Sequence, residues 1–147
     1  MSVLAGLGNG LFRVIMLFAF AAASFALAVV IASESGEVVV LETQSEAGDN
    51  RVTRLWVVDH DASMWLRGDQ NSAWYKRLAA QQRQGQPSLL TRAAKTYVVF
   101  VDYEPEHTEA INDLMAEKYG WGDRFISAIG NDRASAVVLR IVPVGAE

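Results

Sequence analysis

Arginines and aromatic side chains are the groups in this chain whose types and spacing could do chemistry. Arg51, Arg54 and Arg67 fall on segments that read as adjacent strands, with Trp56, Trp65, Trp74 and Tyr75 nearby. A planar ligand with an anionic tail wants this mixture of aromatic walls and a guanidinium fork. The residues also have a structural reading, preferred on residue types alone. In it the tryptophans build a core while the arginines pair with Glu42, Asp59 or Asp69. Other chemistries are poorly served. His60 falls in a turn and His107 in the first turn of a helix, without ligand spacing, so no metal site is expected. Asp59 and Asp61 flank His60, but turns favour aspartate for backbone reasons. The chain has no Walker-type loop and no G-x-G-x-x-G, and no hydrolytic constellation stands out. It has no cysteine, which excludes disulfides, thiolate metal sites and a cysteine nucleophile.

The elements that must position these side chains follow from pattern. Glu37 to Thr43 is β-branched and reads as a strand; Gly48-Asp49-Asn50 is a turn signal; Arg51 to Asp59 is a second strand. His60 to Ser63 is a tight connection and Met64 to Arg67 a short third strand. Asn71 or Ser72 can cap a helix whose apolar positions are Trp74, Tyr75, Leu78 and Ala79, and Gly85-Gln86-Pro87 ends it. Ser88 to Arg92 and Thr96 to Asp102 read as a hairpin. Pro105 suits the start of a helix that Gly120 ends. A shorter helical piece over Trp121 to Ile129 and a last strand over Ala134 to Val144 complete the chain. The order β-β-β-α-β-β-α-α-β predicts an α+β fold, a small antiparallel barrel with flanking helices.

Residues 14–32 form an apolar run without charge, proline or glycine. Its length approaches the ~30 Å of a bilayer core, so a single transmembrane anchor within residues 1–33 is expected, followed by a domain over 34–147. A cleaved secretory signal is the alternative, with Ala26-Leu27-Ala28 as an A-x-A site. Arg13 is the one basic residue before position 34, which weakly places the domain on the periplasmic side. Ala19, Ala22, Ala23 and Ala26 form a small-residue stripe that would pack against another transmembrane helix. Membrane lipid and such helices are therefore the expected partners. The net charge is −4 with every acid after residue 33, which argues against a nucleic-acid partner.

From about Val38 to Val144 the chain resembles the split β-barrel family of flavin- and deazaflavin-dependent oxidoreductases, in particular its nitroreductase/quinone reductase branch. Arg51-Val52-Thr53-Arg54-Leu55-Trp56 is similar to the family's R-T-x-P-L-W, and Asn71-Ser72-Ala73-Trp74-Tyr75-Lys76-Arg77-Leu78 to its N-P-A-W-Y-x-N-L. The tail, from Lys118-Tyr119-Gly120-Trp121 to Val138-Leu139-Arg140, is similar as well. The resemblance implies FMN or deazaflavin F420 as cofactor, with Arg51, Thr53, Arg54, Trp56, Arg67, Trp74 and Tyr75 as the residues that would meet it. Where the family has a basic T-G-R-K-S-G turn, this chain reads Thr43-Gln44-Ser45-Glu46-Ala47-Gly48, so a carboxylate stands where a lysine would face the anionic tail. Two functions follow. The preferred one is a non-catalytic accessory subunit of a membrane complex that holds no cofactor. The alternative is a membrane-tethered FMN- or F420-dependent reductase acting on a quinone or nitro compound. No catalytic acid or base is assigned.

Overall fold

The structure, a computed structural model, describes residues 3–34, 36–45, 47–124 and 136–145. Alternation of apolar and polar residues builds six strands: β1 (Val38–Gln44), β2 (Asn50–His60), β3 (Ser63–Asp69), β4 (Ser88–Arg92), β5 (Lys95–Tyr103) and β6 (Ala136–Pro143). They close into an antiparallel barrel in the order β1-β2-β3-β6-β5-β4. The hairpins expected from local pattern are present. Three further pairings complete the ring, β3 with β6 (Leu66 opposite Leu139), β5 with β6 (Val101 opposite Ile141) and β1 with β4 (Leu41 opposite Leu90).

Successive strand residues point to opposite faces, so the register sorts the core. Val39, Leu41, Val57, Leu66, Leu90, Val99, Val101, Leu139 and Ile141 fill the barrel, joined by Leu78 of helix α2 (Ala73–Arg83). A second cluster lies outside the barrel wall. There Val58, Trp65 and Val138 pack on Ile111, Met115 and Tyr119 of helix α3 (Thr108–Tyr119). Each such buried side chain contributes roughly 1.5–3 kcal/mol. The first half of β6 is covered on both faces, which accounts for the apolar run Ala136–Leu139 before Arg140.

The helix boundaries have local causes. Ser72 caps α2, its hydroxyl accepting the Tyr75 N–H. A 3-10 turn, Pro105–His107, leads into α3, and Gly120 ends that helix with φ +55°. Residues 121–124 are helical, and the rest of the piece expected up to Ile129 lies outside the described residues.

The N-terminal run forms helix α1 (Val3–Glu34). Its described side chains, 12–27, are exposed, including Phe12, Phe18, Phe20 and the stripe Ala19, Ala22, Ala23, Ala26. Among the described residues no helix is long and apolar enough to cross a membrane. This corrects the expected transmembrane anchor and the single-pass membrane localisation drawn from it.

Candidate functional site

The turn between β1 and β2 lies beside α2, and the space between them is a pocket of about 540 Å³. The turn holds its shape through backbone bonds from Ser45 N–H to Asp49 O and from Gly48 N–H to Ser45 O, each 2.9 Å. Its direction follows from Gly48, at φ +84°, a conformation in which side chains are disfavoured. α2 presents Lys76, Arg77, Ala80, Gln81 and Gln84 to this pocket, the one-and-four spacing of a single helix face.

Arg77 is held in place by neutral groups. Its Nε donates to the buried Thr43 hydroxyl at 3.0 Å and its Nη2 to the Thr53 hydroxyl at 3.5 Å. Arg51 enters the pocket from β2, with Asp49 at 3.6 Å. The lining therefore carries three cationic side chains, Arg51, Lys76 and Arg77, against the carboxylate of Asp49. A fixed guanidinium on neutral hydroxyls retains its charge for an incoming phosphate or carboxylate. Comparison of the turn alone would miss this, because the cations arrive from α2. Glu46 lies outside the described residues.

Two glutamines seal the barrel beside the pocket. Gln81 accepts the Gln44 N–H at 3.0 Å and donates to Pro87 O at 2.7 Å. Gln82 accepts the Val101 N–H at 3.3 Å and donates to the same residue's carbonyl. β4 is short, and these side-chain amides satisfy backbone groups that its missing length leaves open on either side.

The opposite flank of α2 lines a second groove of about 270 Å³. Tyr75, Leu78, Gln82, Val101, Tyr103 and Leu139 are among its walls. Trp74 stands edge-on to Tyr75, with centroids 6.1 Å apart.

The residues singled out from the sequence thus separate. Arg51 lines the first pocket and Thr53 supports its Arg77, while Tyr75 lines the second groove, with Trp74 beside it. Arg54 is exposed on β2, opposite Val40 of β1. Trp56 stacks on Tyr119 outside the barrel, centroids 4.5 Å apart and planes within 7°. Arg67 is buried under α3, where it donates to Asn112 Oδ1 at 3.1 Å and pairs with Asp123. Lys76 and Arg77 were not singled out. Their signal is the phase of α2, which becomes legible once Trp74 and Leu78 are known to face the barrel.

A charged network braces the far side. Arg92 makes paired bonds to Glu37 (2.6 and 2.9 Å) and to Asp59 (2.6 and 2.7 Å), and Lys118 Nζ reaches Glu37 at 2.6 Å. Hydrogen bonds from Arg92 and then Lys118 hold the Glu37 carboxyl at about 2, from an ordinary 4.5. Burial pushes the Tyr119 phenol up to about 12; its oxygen accepts the Val57 N–H at 3.0 Å. A carboxyl depressed by folding stabilises the fold above its unfolded value and loses that contribution as pH falls through its folded value. Wild-type stability should therefore drop as pH falls from about 4.5 toward 2. Glu37→Gln should be less stable at neutral pH and show a shallower acid decline, read as melting temperature against pH. Parallel curves for the two proteins would contradict that assignment.

No protein-family model matches the chain, and no curated protein matches it in sequence. Solved structures do resemble it. A Listeria innocua protein assigned as a pyridoxamine 5′-phosphate oxidase superposes with TM-score 0.53 at 13% identity, over 79% of this chain and 90% of its own. An F420 reductase gives TM-score 0.52 at 15% identity, over 78% and 91%. A Bacteroides thetaiotaomicron protein assigned to 5-nitroimidazole antibiotic resistance gives 0.52 at 8% identity, over 75% and 74%. At such identities the likeness shows the fold: an antiparallel six-stranded barrel with flanking helices, of the kind these oxidase-like and reductase proteins share.

Proposed function

We propose that the chain is a flavin- or deazaflavin-dependent reductase acting on a quinone or nitro compound. The observation that carries this reading is the cationic pocket, in which Arg51, Lys76 and Arg77 replace the charge absent from the β1–β2 turn. Its volume of about 540 Å³ falls within the range of small-molecule sites. FMN and F420 both carry an anionic tail, and the three cations fit either. When bound, the reduced cofactor supplies the hydride; the protein supplies grip, orientation and shelter from water. Arg77 would hold the tail, its fork pre-set by Thr43 and Thr53. The accessory-subunit expectation rested on an anchor that the described residues do not provide and on a charge loss that α2 offsets.

Titration of the purified chain with FMN and with F420, followed by ligand fluorescence, tests the proposal. One of the two should saturate at one equivalent. Arg77→Gln should weaken it about tenfold, roughly 1.4 kcal/mol, and Lys76→Gln/Arg77→Gln by more. If neither ligand binds wild type, or the double variant binds like wild type, the reading fails.

A further inference from the structure

We propose that the chain binds one divalent transition-metal ion of the zinc class through the imidazoles of His60 and His107, with the Asp61 carboxylate as third ligand. The site stands apart from the anion pocket. It lies at the His60 end of β2, and that eleven-residue strand separates it from the β1–β2 turn by roughly 30 Å.

The ligand atoms of His60, Asp61 and His107 all lie within 4.8 Å of one another. The two rings have centroids 6.0 Å apart, inclined at 66°. Two imidazoles sharing a tetrahedral ion at ~2.0–2.1 Å place their centroids about 5.3 Å apart, so the rings need to approach by less than about 1 Å. His60, His107 and Asp61 are half-buried or exposed, so rotamer changes can supply that movement.

The surroundings hold the ligands in position. His60 ends β2 and Asp61 opens a two-residue turn with Ala62, both at positive φ (47° and 58°). That tight turn keeps the Asp61 carboxylate 3.3 Å from His60 Nε2. Trp65 lies buried beneath. Its Nε1–H donates to the His60 carbonyl at 2.9 Å, and its ring lies 4.8 Å from that of His107 and 6.0 Å from that of His60. Behind His107, its Nδ1 faces Glu104 Oε2 at 3.2 Å, and Arg140 holds the other oxygen of that carboxylate. The Nδ1 is buried and makes no hydrogen bond among the described residues, so this carboxylate lies close enough to support a metal-bound imidazole once the rings approach. Two nitrogens and one carboxylate oxygen suit Zn²⁺, Ni²⁺ or Cu²⁺ rather than Mg²⁺ or Ca²⁺. Glu104 and Glu106 also come within 4.8 Å of His107 as a competing, oxygen-rich set. In that set Glu104 is already engaged by Arg140.

Untagged, chelator-stripped protein titrated with Zn²⁺ tests the site. The chain has two histidines, so its imidazole Hε1 resonances report directly. Both should move together and stop moving at one equivalent. Calorimetry should give the same stoichiometry, and His60→Gln or His107→Gln should each weaken binding at least tenfold. Zn²⁺ should also raise the melting temperature of wild type more than that of either variant. If neither resonance moves, or His107 alone responds, the proposed site is wrong, and the second outcome points to the Glu104–Glu106 set. If a variant does not fold, the wild-type resonances decide alone.

Discussion

Arg67→Met is expected to destabilise the barrel by about 3–5 kcal/mol, a large share of the ~5–15 kcal/mol that holds a domain together. Arg67 points out of β3 and under α3, and its side chain is 6% exposed. The carboxylate it meets, Asp123, is fully buried, and the second fork nitrogen is held by Asn112. Removing the guanidinium leaves a desolvated anion beside an apolar side chain, and that penalty outweighs whatever the methionine packs. The double variant Arg67→Met/Asp123→Leu should recover most of the loss, because neither charge then remains buried. Urea unfolding reads both effects as shifts in midpoint. A single variant with the wild-type midpoint would show that water reaches the pair. The result also bears on function: weaker cofactor binding in an Arg67 variant would report damage to the fold, since Arg67 does not line the anion pocket.

Gly68→Ala should cost about 2–3 kcal/mol for a different reason. Gly68 is buried in β3, and a Cβ placed there would come within 2.1 Å of Trp74 Cζ2. The glycine serves close approach, a recognised use of glycine inside a strand. The added methyl must displace the indole, and with it the start of α2 next to Tyr75. Thermal melts should show the loss, and tryptophan emission should shift as Trp74 moves toward water. Gly68→Ala/Trp74→Leu should regain part of the stability by removing the obstructing ring. Unchanged emission together with wild-type stability would mean that the indole does not rest on Gly68.

Much of this protein is determined by residues a few positions apart. Period-two runs mark the strands, Ser72 caps α2, Pro105 and Gly120 bracket the 3-10 turn and α3, and these signals act within one turn of chain. The element order was therefore legible, and so was the barrel class. The apolar N-terminal run misled on localisation: it suggested a membrane span, and among the described residues no helix is long and apolar enough to cross a membrane. Only the tertiary structure decided which distant groups meet. Pairing of β6 with β3 and β5 and of β4 with β1 closes the barrel. Closure carries Arg67 to Asp123, Trp56 to Tyr119, Lys76 and Arg77 to the β1–β2 turn, and His60 to His107. No local rule encodes these meetings. They follow from burying two apolar clusters at once, a free energy summed over the whole chain and nearly indifferent to which polar groups it brings together.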